Sequence, residues 1–152
     1  MEASNGVDAI HKPSIEQLHT DGARIEGVFV DRTDRHNPLR RNPDYYIAVD
    51  ALVCVSEIDG IRNPVLDAAA CGAPVISTNV GIAPEVSGPK QPRFILEERS
   101  VSALKDAILR LLAEGILLFG LSEEILKLIK HWDSSIRRVS FRKFLRLRPS
   151  HK

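Results

Sequence analysis

The chain has 152 residues, 43% of them hydrophobic and 27% charged, as expected for one soluble globular domain. Its 21 basic and 20 acidic residues leave a formal net charge of +1, and aromatic residues make up 5%. This balance argues against nucleic acid as a partner. The longest apolar run, 116–121, is too short to span a bilayer, and the first ten residues lack the apolar core of a signal peptide.

Two cysteines, Cys54 and Cys71, are the only ones in the chain. Neither has a second cysteine at metal-ligand spacing, so no metal site is predicted. We expect both thiols to be buried and reduced, which is typical of a cytoplasmic protein.

The first predicted elements follow a polar segment without clear periodicity. Residues 1–22 are interpreted as a flexible N-terminal arm. Residues 24–30 (RIEGVFV) predict a short strand, and a basic, proline-punctuated loop follows them. A short helix is expected around Tyr45 and Tyr46.

The middle of the chain predicts a strand, a helix and a second strand. Residues 51–55 (ALVCV) are continuously apolar, as in a strand that is covered on both faces of a parallel sheet. Residues 64–71 predict a helix that Gly72 ends, and residues 74–76 (PVI) predict another buried strand. Together they indicate a right-handed βαβ unit.

The last third of the sequence predicts helices, which makes the expected fold class α/β with a helical C-terminal third. Ser100 or Ser102 caps the first of these helices, and Gly115 ends it. Ser122 opens a second helix that runs to about Trp132, and a last, basic helix is expected to begin at Asp133. Residues 133–152 carry seven basic side chains against one acidic. A solvated basic surface is the favoured interpretation, with contact to an anionic membrane as the alternative.

The loop that follows the first buried strand is the strongest candidate for a binding site. Ligands of open parallel sheets bind at the carboxyl ends of the strands, where loops lead into helix N-termini. Asn63 is a good N-cap and Pro64 a good first helical residue, while Gly60 would let the backbone approach a ligand closely. The free N–H groups and the helix dipole suit a phosphate or a sugar oxygen.

Two carboxylates accompany this loop. Asp67 lies one turn into the helix and could accept two hydrogen bonds from a vicinal diol such as a ribose, and Asp59 could bind a second pair of hydroxyls. The ordinary alternative is that the helix dipole stabilises such acids and that Asp-Gly is common in turns. From the spacing alone, that alternative is favoured.

Residues 56–86 (SEIDGIRNPVLDAAACGAPVISTNVGIAPEV) resemble the signature of the C-terminal domain of GT-B glycosyltransferases, in particular the retaining family four. That signature has Ser, Glu-Gly, Pro, two apolar residues, Glu-Ala, a run of small residues, Gly-x-Pro-Val, and later Gly with Pro-Glu. The matching positions are Ser56, Gly60, Asn63, Pro64, Val65, Leu66, Ala68, Gly72, Pro74, Val75, Gly81, Pro84 and Glu85. Weaker likeness extends over roughly residues 24–146.

The resemblance implies a partial Rossmann-like parallel sheet and a role for each residue of the loop. Asp59 would take the place of the glutamate that contacts the donor sugar, and Asp67 that of the glutamate that holds the ribose hydroxyls. Gly60, Ile61, Arg62 and Asn63 would offer backbone N–H groups to the sugar and the distal phosphate, and Glu85 would lie near the donor pocket. The implied domains are the arm at 1–22, a partial nucleotide-sugar-binding domain at 23–146 and a basic tail at 147–152.

The sequence also departs from the family pattern. Both acids are aspartates, so each carboxylate is about 1.5 Å further back, a displacement that can reduce the rate of a positioned site on the order of 10²-fold. The family's acceptor-binding domain and the first half of its donor-binding domain have no counterpart here. We therefore expect an exposed sheet edge, with a complementary chain or a second copy as partner.

The predicted function is glycosyl transfer with retention from a nucleotide-diphosphate sugar, with neither cofactor nor metal, in a truncated donor-binding portion. Whether this chain is an enzyme by itself is left open, and no catalytic residue is assigned. The alternatives are a non-catalytic nucleotide-sugar-binding module, an inactive remnant, and an epimerase of the same fold. The expected location is cytoplasmic, with membrane contact through the basic tail as an option.

Overall fold

The protein is represented by a computed structural model that describes residues 6–29, 43–57, 63–88 and 92–132. In these ranges the sheet has three parallel strands in the order β1-β2-β3: β1 (Leu52–Cys54), β2 (Val75–Thr78) and β3 (Ile95–Leu96). Leu52 pairs with Val75 and Ser77 with Ile95. The fold is therefore an open α/β sheet, as predicted.

The predicted βαβ arrangement is present, with α3 (Asn63–Ala70) between the parallel strands β1 and β2. Gly72 adopts φ +79°, the left-handed conformation that ends a helix and that a residue with a Cβ rarely adopts. A Cβ at this position would lie 2.9 Å from the Ser122 hydroxyl oxygen. Gly72 thus turns the chain toward β2 and allows close contact with the C-terminal helices. The handedness of the crossover stays a prediction.

Two shorter helices accompany the sheet. The helix expected around Tyr45 and Tyr46 is α2 (Pro43–Ala48), and it packs against α3. A one-turn helix, α4 (Ala83–Val86), follows β2, and a 3-10 turn (Pro92–Phe94) leads into β3.

The helical C-terminal third begins with α5 (Val101–Ala113), which is capped by Ser100 and not by Ser102. The Ser100 hydroxyl oxygen accepts a hydrogen bond of 3.2 Å from the backbone N–H of Ala103. The next helix, α6 (Gly115–Ile129), starts seven residues before the predicted Ser122, and a 3-10 turn (Lys130–Trp132) ends it. The helix that was expected to begin at Asp133 lies outside the described residues.

The predicted start of α6 at Ser122 is wrong, and the reason is physical. Gly115 follows the end of α5, as predicted, but only Glu114 separates the two helices and Gly115 is also the first residue of α6. A Cβ at Gly115 would meet no other atom within 4 Å, so the glycine fills no tight space. The apolar residues after it belong to a helix, and Leu121 and Ile125 are completely buried one turn apart.

The N-terminal segment differs from the flexible arm that the sequence predicts for residues 1–22. A π-helical turn (Val7–His11) continues into α1 (Lys12–Thr20), which packs against α5. Ile10, Ser14 and Leu18 are buried, one on each successive turn. The buried face of this segment has only one residue on each turn, and one of the three is a serine, so the sequence shows no clear apolar periodicity. The division of the chain at residues 22 and 146 stays a prediction, and the basic tail at 147–152 lies outside the described residues.

The strand predicted at residues 24–30 is absent from its described part, 24–29. A strand needs the backbone of a neighbour for its hydrogen bonds, and none of the three described strands pairs with this segment. Ile25 packs against the core, whereas Val28 and Phe29 are exposed.

The core lies on both faces of the sheet. Along β2, Val75 belongs to a cluster with residues of α3, α4 and α6, while Ile76 belongs to a cluster with residues of α1, α5 and β3. Successive residues of a strand point to opposite faces, so the two clusters mark the two layers of helices. The strand β1 is only half-buried, less than its continuously apolar sequence predicts.

Candidate functional site

The candidate site is at the carboxyl edge of the sheet, where the chain passes from β1 to α3. Of the residues that the sequence assigns to it, Asp59, Gly60, Ile61 and Arg62 lie outside the described residues. Asn63 is the first residue of α3, one position further into the helix than the predicted N-cap, and its side chain lies outside the description. Asp67 and Glu85 are described in full.

Packing fixes the position of α3. Val65, Ala68 and Ala69 have no exposed surface, and α3 lies between the sheet and α6. Its N-terminus follows the carboxyl end of β1 after the short undescribed segment 58–62. This is the arrangement of strand end and helix start at which open α/β sheets bind anionic ligands.

Asp67 lies one turn into α3, as the sequence predicts. The residue is exposed, yet partial burial of its carboxyl group raises the pKa above the ordinary value. The cause is loss of water around the charged form, because desolvation favours the neutral acid. A carboxylate with reduced hydration is suited to accept hydrogen bonds from the hydroxyl groups of a ligand.

Cys71, one turn after Asp67, has a raised thiol pKa, first because of burial and second because of the negative charge of Asp67. A raised pKa disfavours the thiolate, which is the reactive form. Both cysteines are free thiols, as expected, but they are half-buried and not fully buried. We therefore assign no nucleophilic role to Cys71.

Glu85 is exposed on α4. The helices α3 and α4 pack against each other through a cluster that includes Val65, Ile82 and Val86. Glu85 and Asp67 therefore lie on neighbouring helices. Arg32, Arg35, Arg40 and Arg41, the cations of the basic loop, lie outside the described residues.

Sequence reasoning missed three side chains at the same edge of the sheet, of which Ser77 and Thr78 are buried and Arg99 is half-buried. The Thr78 hydroxyl donates a hydrogen bond of 2.7 Å to the carbonyl of Ser56, and the Ser77 hydroxyl donates one of 3.0 Å to the carbonyl of Cys54. Arg99 Nε donates to the carbonyl of Val55 at 3.2 Å. A polar Ser-Thr pair in a buried strand is a signal for such bonds, whereas nothing local connects Arg99 with Val55.

Two classes of site are missing from the described part of the chain. It contains no group of three or more histidine, cysteine, aspartate or glutamate side chains that could hold a metal ion. Over the same ranges, no helix is both long and apolar enough to cross a membrane.

The profile of the family glycosyl transferases group 1 matches residues 12–114, a range that includes the sheet, α3 and α4. The chain belongs to this family. Among solved structures, one similar chain is the C-terminal domain of a glycosyl transferase group 1 family protein, LpcC, from Francisella tularensis. The two are 23% identical with a TM-score of 0.53, over 84% of this chain and 63% of that chain. No match was found among curated protein sequences.

These findings confirm the resemblance and the fold. The glycosyl transferase group 1 chain has the architecture of a GT-B C-terminal domain, in the form of an open parallel sheet with helices on both faces. All seven predicted site residues fall within the matched range. The chain spans less than two thirds of the solved domain that it matches.

Proposed function

We propose that this chain is the donor-binding portion of a retaining glycosyltransferase that uses a nucleotide-diphosphate sugar. The observation that carries the proposal is the position of Asp67, one turn into a helix that begins beside the carboxyl end of β1, within a chain of the glycosyl transferases group 1 family. The segment 59–63 belongs to the same proposed site through the sequence resemblance.

In this proposal the α3 N-terminus binds the phosphate groups of the donor. The first backbone N–H groups of a helix have no partner within it, and the dipole places partial positive charge at this end. Both would stabilise the negative charge that grows on the departing phosphate during transfer. The reaction then needs neither a resident metal nor a cofactor.

Asp67 binds the ribose hydroxyl groups in the same proposal. Two hydroxyl donors on one carboxylate replace part of the water that its environment excludes. Hydrogen bonds to the charged form lower a carboxyl pKa, so donor binding opposes the effect of burial on Asp67. By the sequence resemblance, the proposal also places Glu85, on the neighbouring helix α4, near the donor pocket.

A complete transferase needs further protein. We propose that the chain is truncated and that it works with a chain that carries the acceptor-binding domain, or as a homo-oligomer. The contact surface in this proposal is the outer edge of β1. The Leu52 N–H donates to the Pro74 carbonyl and so faces β2, which directs the peptide groups of Val53 away from β2. A cytoplasmic location, with contact to anionic lipid through the basic tail, belongs to the same proposal.

The alternative is a module that binds nucleotide sugar without catalysis, or an inactive remnant. The two aspartates favour it, because each carboxylate is shorter by one methylene than the family's glutamate.

Ligand-observed NMR of the purified chain tests the proposal, with UDP, GDP and their sugar conjugates as probes. Asp67→Ala removes the proposed ribose contact. Asp106→Ala removes an equally exposed acid from α5 and serves as the matched control. We expect saturable binding of one nucleotide series that Asp67→Ala abolishes and that Asp106→Ala leaves unchanged.

The possible results separate the candidates. Binding that depends on Asp67, followed by transfer only after the complementary domain is added, supports the donor-binding role. Binding without transfer in any combination supports the non-catalytic module. A folded chain that binds none of the probes overturns the proposal in favour of the remnant.

A further inference from the structure

The backbone carbonyls of Val55 and Ser56, just after the end of β1, accept hydrogen bonds from side chains of other parts of the chain. Ser56 accepts from the Thr78 hydroxyl at 2.7 Å, and Val55 accepts from Arg99 Nε at 3.2 Å. Thr78 is the last residue of β2, and Arg99 follows β3 by three residues. Side chains from the ends of two other strands therefore converge on the exit of the first.

The Thr78 contact is buried and the Arg99 contact is partly buried, so both restrain the backbone. Val55 has no exposed surface, and Ser56 and Thr78 are 8% and 5% exposed. Both carbonyls lie past the paired residues of β1, which end at Cys54, so the strand ladder gives them no partner. A buried carbonyl without a hydrogen bond is destabilising, so the chain is held where Thr78 and Arg99 can reach it.

Gly6, at the start of the N-terminal turn, packs against the hydrogen bond between Arg99 and Val55. A Cβ on Gly6 would lie 2.5 Å from the Val55 carbonyl oxygen and 3.3 Å from the Arg99 guanidinium. Gly6 has φ +75°, and its own carbonyl accepts the N–H groups of Ile10 and His11. The next residue after Arg99 is Ser100, the N-cap of α5. The Arg99 backbone is therefore anchored by a helix cap.

We infer that Thr78 and Arg99 are positioning residues of the proposed donor site. They fix the backbone at Val55 and Ser56, from which the chain continues toward Asn63 at the start of α3. Neither side chain needs to touch the ligand. The inference rests on the proposed function. It adds two residues to that site, and both act by holding the backbone after β1 and not by contacts with α3.

The chain provides a matched control for the Thr78 hydroxyl. The neighbouring Ser77 hydroxyl lies 3.0 Å from two backbone carbonyls, those of Cys54 and Thr78, and both belong to paired residues within the strands. Thr78→Val removes the bond beyond the strand with little change of shape, Thr78→Ser retains a hydroxyl, and Ser77→Ala removes the bond inside the strand. Arg99→Ala is matched by Arg93→Ala, which breaks a surface ion pair with Glu114.

The experiment measures two quantities for each folded variant, the dissociation constant for UDP and the backbone carbonyl ¹³C shifts of Val55 and Ser56. We expect Thr78→Val and Arg99→Ala to weaken UDP binding roughly tenfold or more, since displacements of about 1 Å have large effects in positioned sites. Each should shift the carbonyl that it releases. Thr78→Ser should restore both values, and Ser77→Ala and Arg93→Ala should leave the affinity unchanged.

A uniform loss of affinity in Thr78→Val, Thr78→Ser and Ser77→Ala would overturn the inference, because it would indicate general destabilisation. Wild-type affinity in Thr78→Val and Arg99→Ala, despite shifted carbonyl resonances, would overturn it while the proposed function stands. If the wild-type chain selects GDP, the same variants are measured with GDP. Absence of binding of both UDP and GDP to the folded wild-type chain would overturn both the inference and the proposed function.

Discussion

Asp67 belongs to the sequence signature and is also described in full by the structure. It lies on a packed helix at the carboxyl edge of the sheet, and its carboxyl group has a raised pKa because of partial burial. The family signature has a glutamate at this position, so the aspartate leaves the carboxylate one methylene short of the proposed ribose. The helix cannot shift to compensate without disturbing Val65 and Ala69, which are completely buried.

Restoring the longer side chain tests whether this shortfall matters. Asp67→Glu moves the carboxylate forward by about 1.5 Å, and we expect tighter binding of the nucleotide, by up to roughly 10²-fold. Titration calorimetry with UDP or GDP measures the change. Weaker binding by the glutamate variant would mean that the site has adapted to aspartate.

Gly72 has a structural role that can be tested separately from binding. Gly72→Ala places a Cβ on a residue with φ +79° and 2.9 Å from the Ser122 hydroxyl oxygen. We expect it to reduce the free energy of unfolding by about 1–2 kcal/mol, since left-handed backbone is unfavourable for residues with a side chain. Urea denaturation measures the loss. The substitution Gly115→Ala, at a glycine with open space around it, is the control and should not destabilise the protein.

At the scale of elements, the structure decides between two serines that the sequence could not separate. Ser100 caps α5 through the N–H of Ala103, whereas Ser102 is an exposed residue within the first turn. We expect Ser100→Ala to destabilise the protein by about 1 kcal/mol and Ser102→Ala to have little effect. Thermal denaturation of both variants checks the difference, and equal losses would contradict the assigned cap.

Elements with local signals could be predicted from the sequence. The apolar run at 51–55, the glycine after α3 and the Asn63-Pro64 start place the βαβ unit to within one or two residues. The start of α6 at Gly115 could not be predicted, because whether a new helix begins directly after a glycine depends on the tertiary contacts of the residues that follow. Residues 24–29 have a strand-like sequence but no neighbouring strand with which to pair.

The candidate site shows the same limit. Asp67 and the start of α3 follow from the residues next to them in the chain. The contact between Arg99 and Val55 joins positions 44 residues apart, so no local pattern could indicate it. The same holds for the N-terminal turn. Gly6 lies beside Val55 and Arg99, and His11 is affected by the charge of Arg99, only because the folded chain brings these distant residues together.

At the scale of the whole molecule, His11 links stability to pH. Its Nε2 atom is buried and has no hydrogen-bond partner among the described residues. Burial, followed by the positive charge of Arg99, lowers the pKa of His11 below the ordinary value of 6.5. The unfolded chain therefore takes up a proton at higher pH than the folded chain. Stability from this group is complete above about pH 6.5 and decreases as the pH falls toward the lowered value.

The corresponding measurement is the free energy of unfolding between about pH 5 and 7.5. We expect the wild-type protein to lose stability on acidification and His11→Phe to show a flatter profile, because the phenyl ring cannot be protonated. An identical pH dependence in both proteins would mean that other groups are responsible.

The account as a whole depends on whether the family architecture retains a donor site around Asp67. The most direct test is the pKa of the Asp67 carboxyl group, measured by ¹³C NMR in the free chain and with saturating UDP or GDP. We predict a value above the ordinary 3.8 in the free chain and a lower value with nucleotide, as hydroxyl groups donate to the carboxylate. Nucleotide that binds without lowering this pKa, or no binding by the folded chain, would contradict the account.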